Sequence, residues 1–238
     1  MSASFSFKPG LVATTAAIIG ILIAALLGDW QLHRAAHKSE LQARLVEASR
    51  SPALAIGRDA IDPAAMAYHP VQVRGHLDAD RTVYIDNRVH RGIVGYVVVS
   101  PLQISGSDRY VLVERGWVAA GPDRTRLPAV AAPPGDVDIH GVALPGNPRL
   151  FELSHDVLAG KVWQNLTVDR YRERFGIELQ PVIVQQHNEM PDGLVRDWAP
   201  PSLGIERHRA YAFQWFSLAV VILILYVTLN VRRNKVPA

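Results

Sequence analysis

The chain predicts a membrane protein with two transmembrane helices flanking an α+β domain, its strands forming an antiparallel sheet or small barrel with short helices. Three observations carry this reading. Two apolar stretches without a charged side chain lie near the ends of the 238 residues, at 10–28 and 210–231. Each is long enough to cross a hydrocarbon core of roughly 30 Å. Between them, short β-branched runs separated by turns recur without long alternating helices, a pattern of antiparallel strands. The expected division is a tail over 1–9, a first span over 10–28, an extracytoplasmic domain over 29–209, a second span over 210–231 and a tail over 232–238.

Composition narrows the function. Basic side chains number 25 against 22 acidic ones, a net charge of +3. So mild a balance, without a basic run or zinc-ligand spacing, argues against nucleic acid as a partner. There is no cysteine, which excludes disulfides, thiolate metal sites and a cysteine nucleophile. The chain contains no Gly-x-Ser-x-Gly elbow, phosphate-binding glycine loop or His-Glu-x-x-His, so none of those catalytic devices is available. Acidic residues fall in expected turns such as Asp78–Asp80 and Asp136–Asp138, unpaired for acid–base work. An enzyme is not expected.

The first span follows Lys8. It is longer than the apolar core of a signal peptide and no small-x-small site precedes Asp29, so it reads as uncleaved. Two spans leave both termini on one side. Arg232, Arg233 and Lys235 follow the second span while Arg34 and Lys38 follow the first. These pull in opposite senses, so charge alone does not orient the chain. Asp29–Val46 continues as a helix of good helix formers without Gly or Pro. Asp29, His33 and His37 recur at i, i+4 and i+8, one face that could hold a divalent metal or simply be solvated.

In the middle, Ser51–Pro70 reads as a loop. Strands follow at His69–Asp78, Arg81–Asp86, Gly92–Ser100 (stopped by Pro101) and Arg109–Val118, the last two forming a hairpin. Leu127–Gly135 is a Pro- and Ala-rich linker. Asp136–Leu144 alternates as a strand, with Gly141 suggesting a bulge. After a turn at Pro145–Pro148, Leu166–Gly176 is a short helix closed by Gly176, and Leu179–Gln186 is a last strand.

The entrance to the second span reads HRAYAFQWF. His208, Tyr211, Trp215, Leu218 and Ile222 are spaced 3, 4, 3 and 4 and share a helix face. An imidazole and two amphipathic aromatics thus meet at the membrane surface. They form either an interfacial belt beside a solvated histidine or a binding site.

The same segment resembles the second-span signature of the surfeit-locus-one family, assembly factors of haem-copper cytochrome oxidase. His208, Tyr211, Ala212, Trp215, Phe216, Leu218 and Ala219 fall on it, while Arg207 and Arg209 replace the family's usual Asn and Leu. Gly28, Trp30, Gln31, Arg34 and Lys38 match its first-span signature. Gly92, Gly95, Tyr96, Pro101 and Leu102 resemble its glycine-rich strand start. Val113-Glu114-Arg115-Gly116-Trp117-Val118 is similar to its Val-Asn-Arg-Gly-Trp-Val motif, with Glu114 in place of Asn. Trp163 and Asp169 add a further landmark. On the residues alone, Gly92 and Gly95 are turn glycines, and Arg115–Trp117 is a strand end with a bulge whose Trp fills the core.

The resemblance implies a role in building cytochrome c oxidase by helping haem a reach the large catalytic subunit. It also implies a bacterial inner-membrane location with a periplasmic central domain, and contact with lipid and with the haem a synthesis enzyme. On this reading His208 ligates the iron, Tyr211 and Trp215 hold the ring, and Arg207 and Arg209 meet the propionates. Two rivals stand beside it: a scaffold that grips the oxidase subunit without touching cofactor, and a metal-delivering protein using Asp29, His33 and His37.

Overall fold

The computed structural model describes residues 5–124, 126–147, 158–198 and 203–233. The chain begins with β1 (Phe5–Phe7), α1 (Leu11–Ser49), β2 (Leu54–Ala55), α2 (Pro63–Met66), β3 (Pro70–Leu77), β4 (Val83–His90) and β5 (Ile93–Ile104). It continues with β6 (Tyr110–Ala119), β7 (Asp136–Pro145), β8 (Leu158–Ala159), β9 (Val162–Trp163), α3 (Val168–Phe175), β10 (Leu179–Gln186), α4 (Ile205–Asn230) and β11 (Val231–Arg233). Of the expected turn Pro145–Pro148, Pro148 lies outside the described residues, as does the tail beyond 233. The chain divides into two compact units, one of residues 1–44 with 200–238, the other of residues 45–199.

The first unit is a helix pair, and both helices are long and apolar enough to cross a membrane. The first apolar stretch and the helix expected over Asp29–Val46 form one continuous helix, which the absence of Gly and Pro after Gly28 permits. At the far ends β1 and β11 pair antiparallel.

The second unit is a sheet closed into a barrel. Strands run in the order β3-β7-β10-β6-β5, and β5 pairs back onto β3 through Gly75↔Ile104, His76↔Gln103 and Leu77↔Leu102. Closure removes the free edges that an open sheet would expose. β4, β9 and β8 extend outward from β5. The ladders are antiparallel apart from β10–β6, β2–β3 and β4–β9. β3 and β7 alternate strictly, burying Val71, Val73 and Leu77, and Val137, Ile139 and Ala143. These join Leu102, Val111, Val113, Val182 and Val184 in one core. A second core covers the opposite face, where Val83, Ile85, Val97, Val99, Leu112 and Ile183 pack against Trp163 and Tyr171. β5 is therefore buried on both faces, which accounts for its unbroken β-branched run. The helix expected at Leu166–Gly176 is α3, capped by the Thr167 hydroxyl and by Gly176 in the left-handed region.

Three local expectations change. β5 does not stop at Pro101 but runs through it to Ile104. Pro101 accepts from Asp78 N through its carbonyl, 2.9 Å, on the side facing β3 and β4. A strand residue's N–H points to the same side as its C=O. The missing donor therefore falls in the gap between Val99, the last partner of β4, and Leu102, the first partner of β3. Gly141 makes no bulge, because it pairs in register with both Val71 and Gln186. A Cβ there would stand 2.0 Å from the Gln185 carbonyl oxygen, so close backbone approach is what requires glycine. Gly95 is not a turn glycine either. It sits inside β5, and the Trp117 ring and Val118 carbonyl occupy the space of its missing Cβ. Gly92, at φ +82°, is the turn residue expected.

Candidate functional site

The helix pair assembles its entrance from small residues. Ala17, Ala24, Gly28 and Ala35 of α1 and Ala212 of α4 are buried, while Leu22, Ile23, Leu26, Leu223 and Ile224 are exposed. Lipid tails are as apolar as Leu, so close approach of small residues replaces hydrophobic burial as the source of helix association. The Phe216 ring lies on Gly28, where a Cβ would meet three ring carbons at 2.9–3.0 Å. At one end of the seam the Thr14 and Tyr226 hydroxyls share a hydrogen bond of 2.8 Å. At the other, His208 Nδ1 meets Gln31 Oε1 at 2.7 Å. The residues between α1 and α4 thus join both halves of the family-like signature in one place.

His208 stands outside the uncharged stretch 210–231. Its pKa is held below the usual histidine value, first by desolvation and then by the positive charges of Lys38, Arg34 and Arg207. A neutral imidazole, the form that can ligate a metal, is favoured there. None of these three cations is ion-paired among the described residues. Arg34 also lies over the Trp30 ring, 5.7 Å from its centroid. Arg209 differs, since its Nη1 bonds Glu206 Oε1 at 2.8 Å. Of the arginines expected to meet an acidic ligand, Arg207 retains its charge unpaired and Arg209 is already occupied. Beside Arg209 runs a shallow groove floored by Leu32, Ala35, Ala36 and Ala43 and rimmed by Ser39 and Glu40.

The two aromatics of the shared face differ in exposure. Trp215 is half-buried on the side of Ala212, whereas Tyr211 is 45% exposed. Along α4, His208, Ala212, Trp215, Ala219, Ile222 and Tyr226 are buried or half-buried at spacings of 4, 3, 4, 3 and 4, and Phe216 adds its ring against Gly28. Tyr211 and Leu218 fall just off that seam. Asp29 and His33 do meet, with Nδ1 3.2 Å from Oδ2 on an exposed surface, but His37 joins neither. No group of three or more His, Cys, Asp or Glu side chains able to hold a metal ion is present among the described residues.

In the sheet unit the most specific motif is structural. The ladder slips between Val98↔Gly116 and Val99↔Glu114, so Arg115 is the extra residue of a bulge. It turns inward and is 1% exposed. Its Nη2 donates to Ala131 O at 2.6 Å and to Asp192 Oδ2 at 3.0 Å. Arg196, equally buried, reaches the same oxygen at 2.6 Å. Gly116 is needed because Leu194 and the Val195 carbonyl close over it. Asp192 and Arg196 went unmarked in the sequence, where only their i, i+4 spacing hints at a pair. Trp117 does not fill the core. It is half-buried and donates its ring N–H to the Arg88 carbonyl, 2.7 Å, while Trp163 takes the core position. Glu114 and Gln185 lie in a cleft with Arg88, His90, Trp117 and Trp198. Burial pushes the Glu114 carboxyl above the ordinary carboxylate range, opposed by the Gln185 hydrogen bond and the Arg88 charge.

The model of the SURF1 family matches residues 18–220, a range that takes in most of the helix seam, the Gln31–His208 contact and the whole barrel. A SURF1-like protein of Rickettsia bellii is 26% identical over 215 residues, covering 88% of this chain and 87% of its own length. Surfeit locus protein 1 of Rattus norvegicus is 24% identical over 225 residues, covering 87% and 72%. A SURF1-like protein of Monosiga brevicollis is 24% identical over 217 residues, covering 86% and 82%. With a family match over most of its length, spanning both halves of the helix entrance and the bulged Arg-Gly-Trp motif, the chain belongs to the SURF1 family.

Proposed function

We propose that this chain is a membrane-bound assembly factor for haem-copper cytochrome c oxidase, which assists the delivery or insertion of haem a into the large catalytic subunit. Oxidase assembly is the general role that the family resemblance implies. The handling of haem is the finer part of the proposal, and the arrangement around His208 supports it. The imidazole at the head of two apolar helices bonds Gln31 and is under the positive charges of Lys38, Arg34 and Arg207, and a groove lined by Leu32, Ala35 and Ala36 opens beside the neighbouring Arg209. Haem a, as cargo, has an apolar ring and tail, two propionates and an iron that accepts a nitrogen ligand. His208 suits the iron. Arg207, Arg34 and Lys38 suit the propionates, the guanidinium fork matching a carboxylate best. Trp215 and the exposed Tyr211 suit the edge of the ring, and lipid suits the tail. No step of this reading needs catalysis by the chain. The proposed setting is the bacterial inner membrane with the barrel in the periplasm, and the proposed partners are the large oxidase subunit and the haem a synthesis enzyme.

The test is a visible absorption spectrum of the detergent-purified protein, produced in cells that make haem a, beside His208→Ala. A haem a band present in the wild type and shifted or lost in the variant supports the proposal. A folded wild type without haem, still co-purifying with the oxidase subunit, replaces it with a scaffold.

A further inference from the structure

Resting on the haem-handling reading above, we propose that Gln31 is a positioning residue, which holds His208 as the Nδ1–H tautomer and leaves the Nε2 lone pair for the iron. The geometry is specific. The Gln31 contact to Nδ1 is made through Oε1, at 2.7 Å. An amide oxygen only accepts, so with Oε1 facing the ring the contact is a hydrogen bond when Nδ1 carries the proton. In a neutral imidazole the other nitrogen is then the acceptor. Among the described residues Nδ1 is the only ring nitrogen of His208 that is hydrogen-bonded, so none of them occupies Nε2.

Three features make the contact more than a helix-pair fastening. Gln31 and His208 lie 177 residues apart on different helices, so the tautomer depends on the two helices being correctly paired. Gly28, one turn before Gln31, lets Phe216 pack closely and sets the spacing at which amide and imidazole meet. Beside the Gln31 amide, the charges that act on His208 are those of Lys38 and Arg34 on α1 and Arg207 on its own helix. The amide partner adds no charge of its own. Coordination through Nε2 then displaces no proton, because the nitrogen that binds iron is already bare. A metal-bound histidine ordinarily has such a partner on its second nitrogen, and losing it costs 10–100-fold in affinity.

The test uses the full chain in detergent, labelled with nitrogen-15 in histidine, with the His208 signals identified by their loss in His208→Asn. The wild type is expected to show a protonated Nδ1 and a bare Nε2. Gln31→Leu should lose that preference, and Gln31→Glu, which still accepts, should keep it. Haem a titrated into the same samples should bind about 10–100-fold more weakly to Gln31→Leu. Gln31→Glu should recover binding, with the iron midpoint potential lowered by the more basic ligand. A wild type whose His208 is protonated on Nε2 overturns the proposal whether or not haem binds. Unchanged affinity and spectrum in Gln31→Leu, beside loss in His208→Asn, overturn the positioning role and leave the haem reading standing. A correct tautomer with no haem uptake by any of the proteins overturns both.

Discussion

Replacing Asp192 by Asn tests how the barrel tolerates two buried guanidiniums. Asp192 is fully buried, and its Oδ2 is shared by Arg115 at 3.0 Å and Arg196 at 2.6 Å, both only 1% exposed at the side chain. The other carboxylate near Arg196, that of Glu189, is 3.6 Å away and 86% exposed, so it contributes little. The Arg115 and Arg196 Nε atoms are already buried without a partner among the described residues. Asn keeps the shape and the hydrogen-bond oxygen but removes the only buried negative charge of the cluster. Two cations then face each other out of water. Breaking a buried ion pair from one side costs about 3–5 kcal/mol. For a unit of this size the matching fall in Tm is on the order of 10 °C. Arg196→Met should cost less, because a matched Arg115–Asp192 pair remains. Thermal unfolding of the full chain in detergent, followed by near-ultraviolet circular dichroism, measures both. A loss below about 1 kcal/mol in Asp192→Asn, or one no greater than in Arg196→Met, refutes the argument from buried charge.

Three further outcomes are expected. Gly28→Val pushes a side chain into the Phe216 ring and should cost about 1–3 kcal/mol of helix-pair stability; Phe216→Ala in the same chain should return part of it, read as Tm in detergent. Gly141→Ala places a methyl 2.0 Å from the Gln185 carbonyl oxygen, which the paired backbones of β7 and β10 cannot yield to, so a loss of about 3 kcal/mol is expected in urea unfolding. Glu114 has a folded-state pKa above its unfolded one, so the folded chain holds the proton more tightly. Its contribution to stability is greatest below the unfolded pKa and declines as pH rises through the raised folded value. Glu114→Gln should therefore raise Tm more at pH 8 than at pH 4, and an equal gain at both would show that Glu114 is ionised normally.

Much of the sheet unit was legible because strand signals are local. The alternation of Val71, Val73 and Leu77, or of Val137 and Ile139, follows from one face being buried. The cap at Gly176 follows from helix geometry. The reading failed where a residue answers to a chain segment far away. Pro101 looked like a stop, yet its missing donor falls between two strands that reach β5 from elsewhere. Gly141 looked like a bulge and is instead a point of contact with the backbone of β10.

The sequence by itself determined the two apolar helices, the strand-rich middle and the family, because span length, period-two alternation and the order of motifs are all written along the chain. It also marked His208 and Gln31, but as members of separate motifs. Only the tertiary structure decided that they are one unit, that Arg209 is paired with Glu206 while Arg207 has no such partner among the described residues, and that Arg115 is buried against Asp192, 77 residues away. Hydrogen bonds and ion pairs act over about 3 Å of space. Separation along the chain does not report that distance until helices and strands have packed.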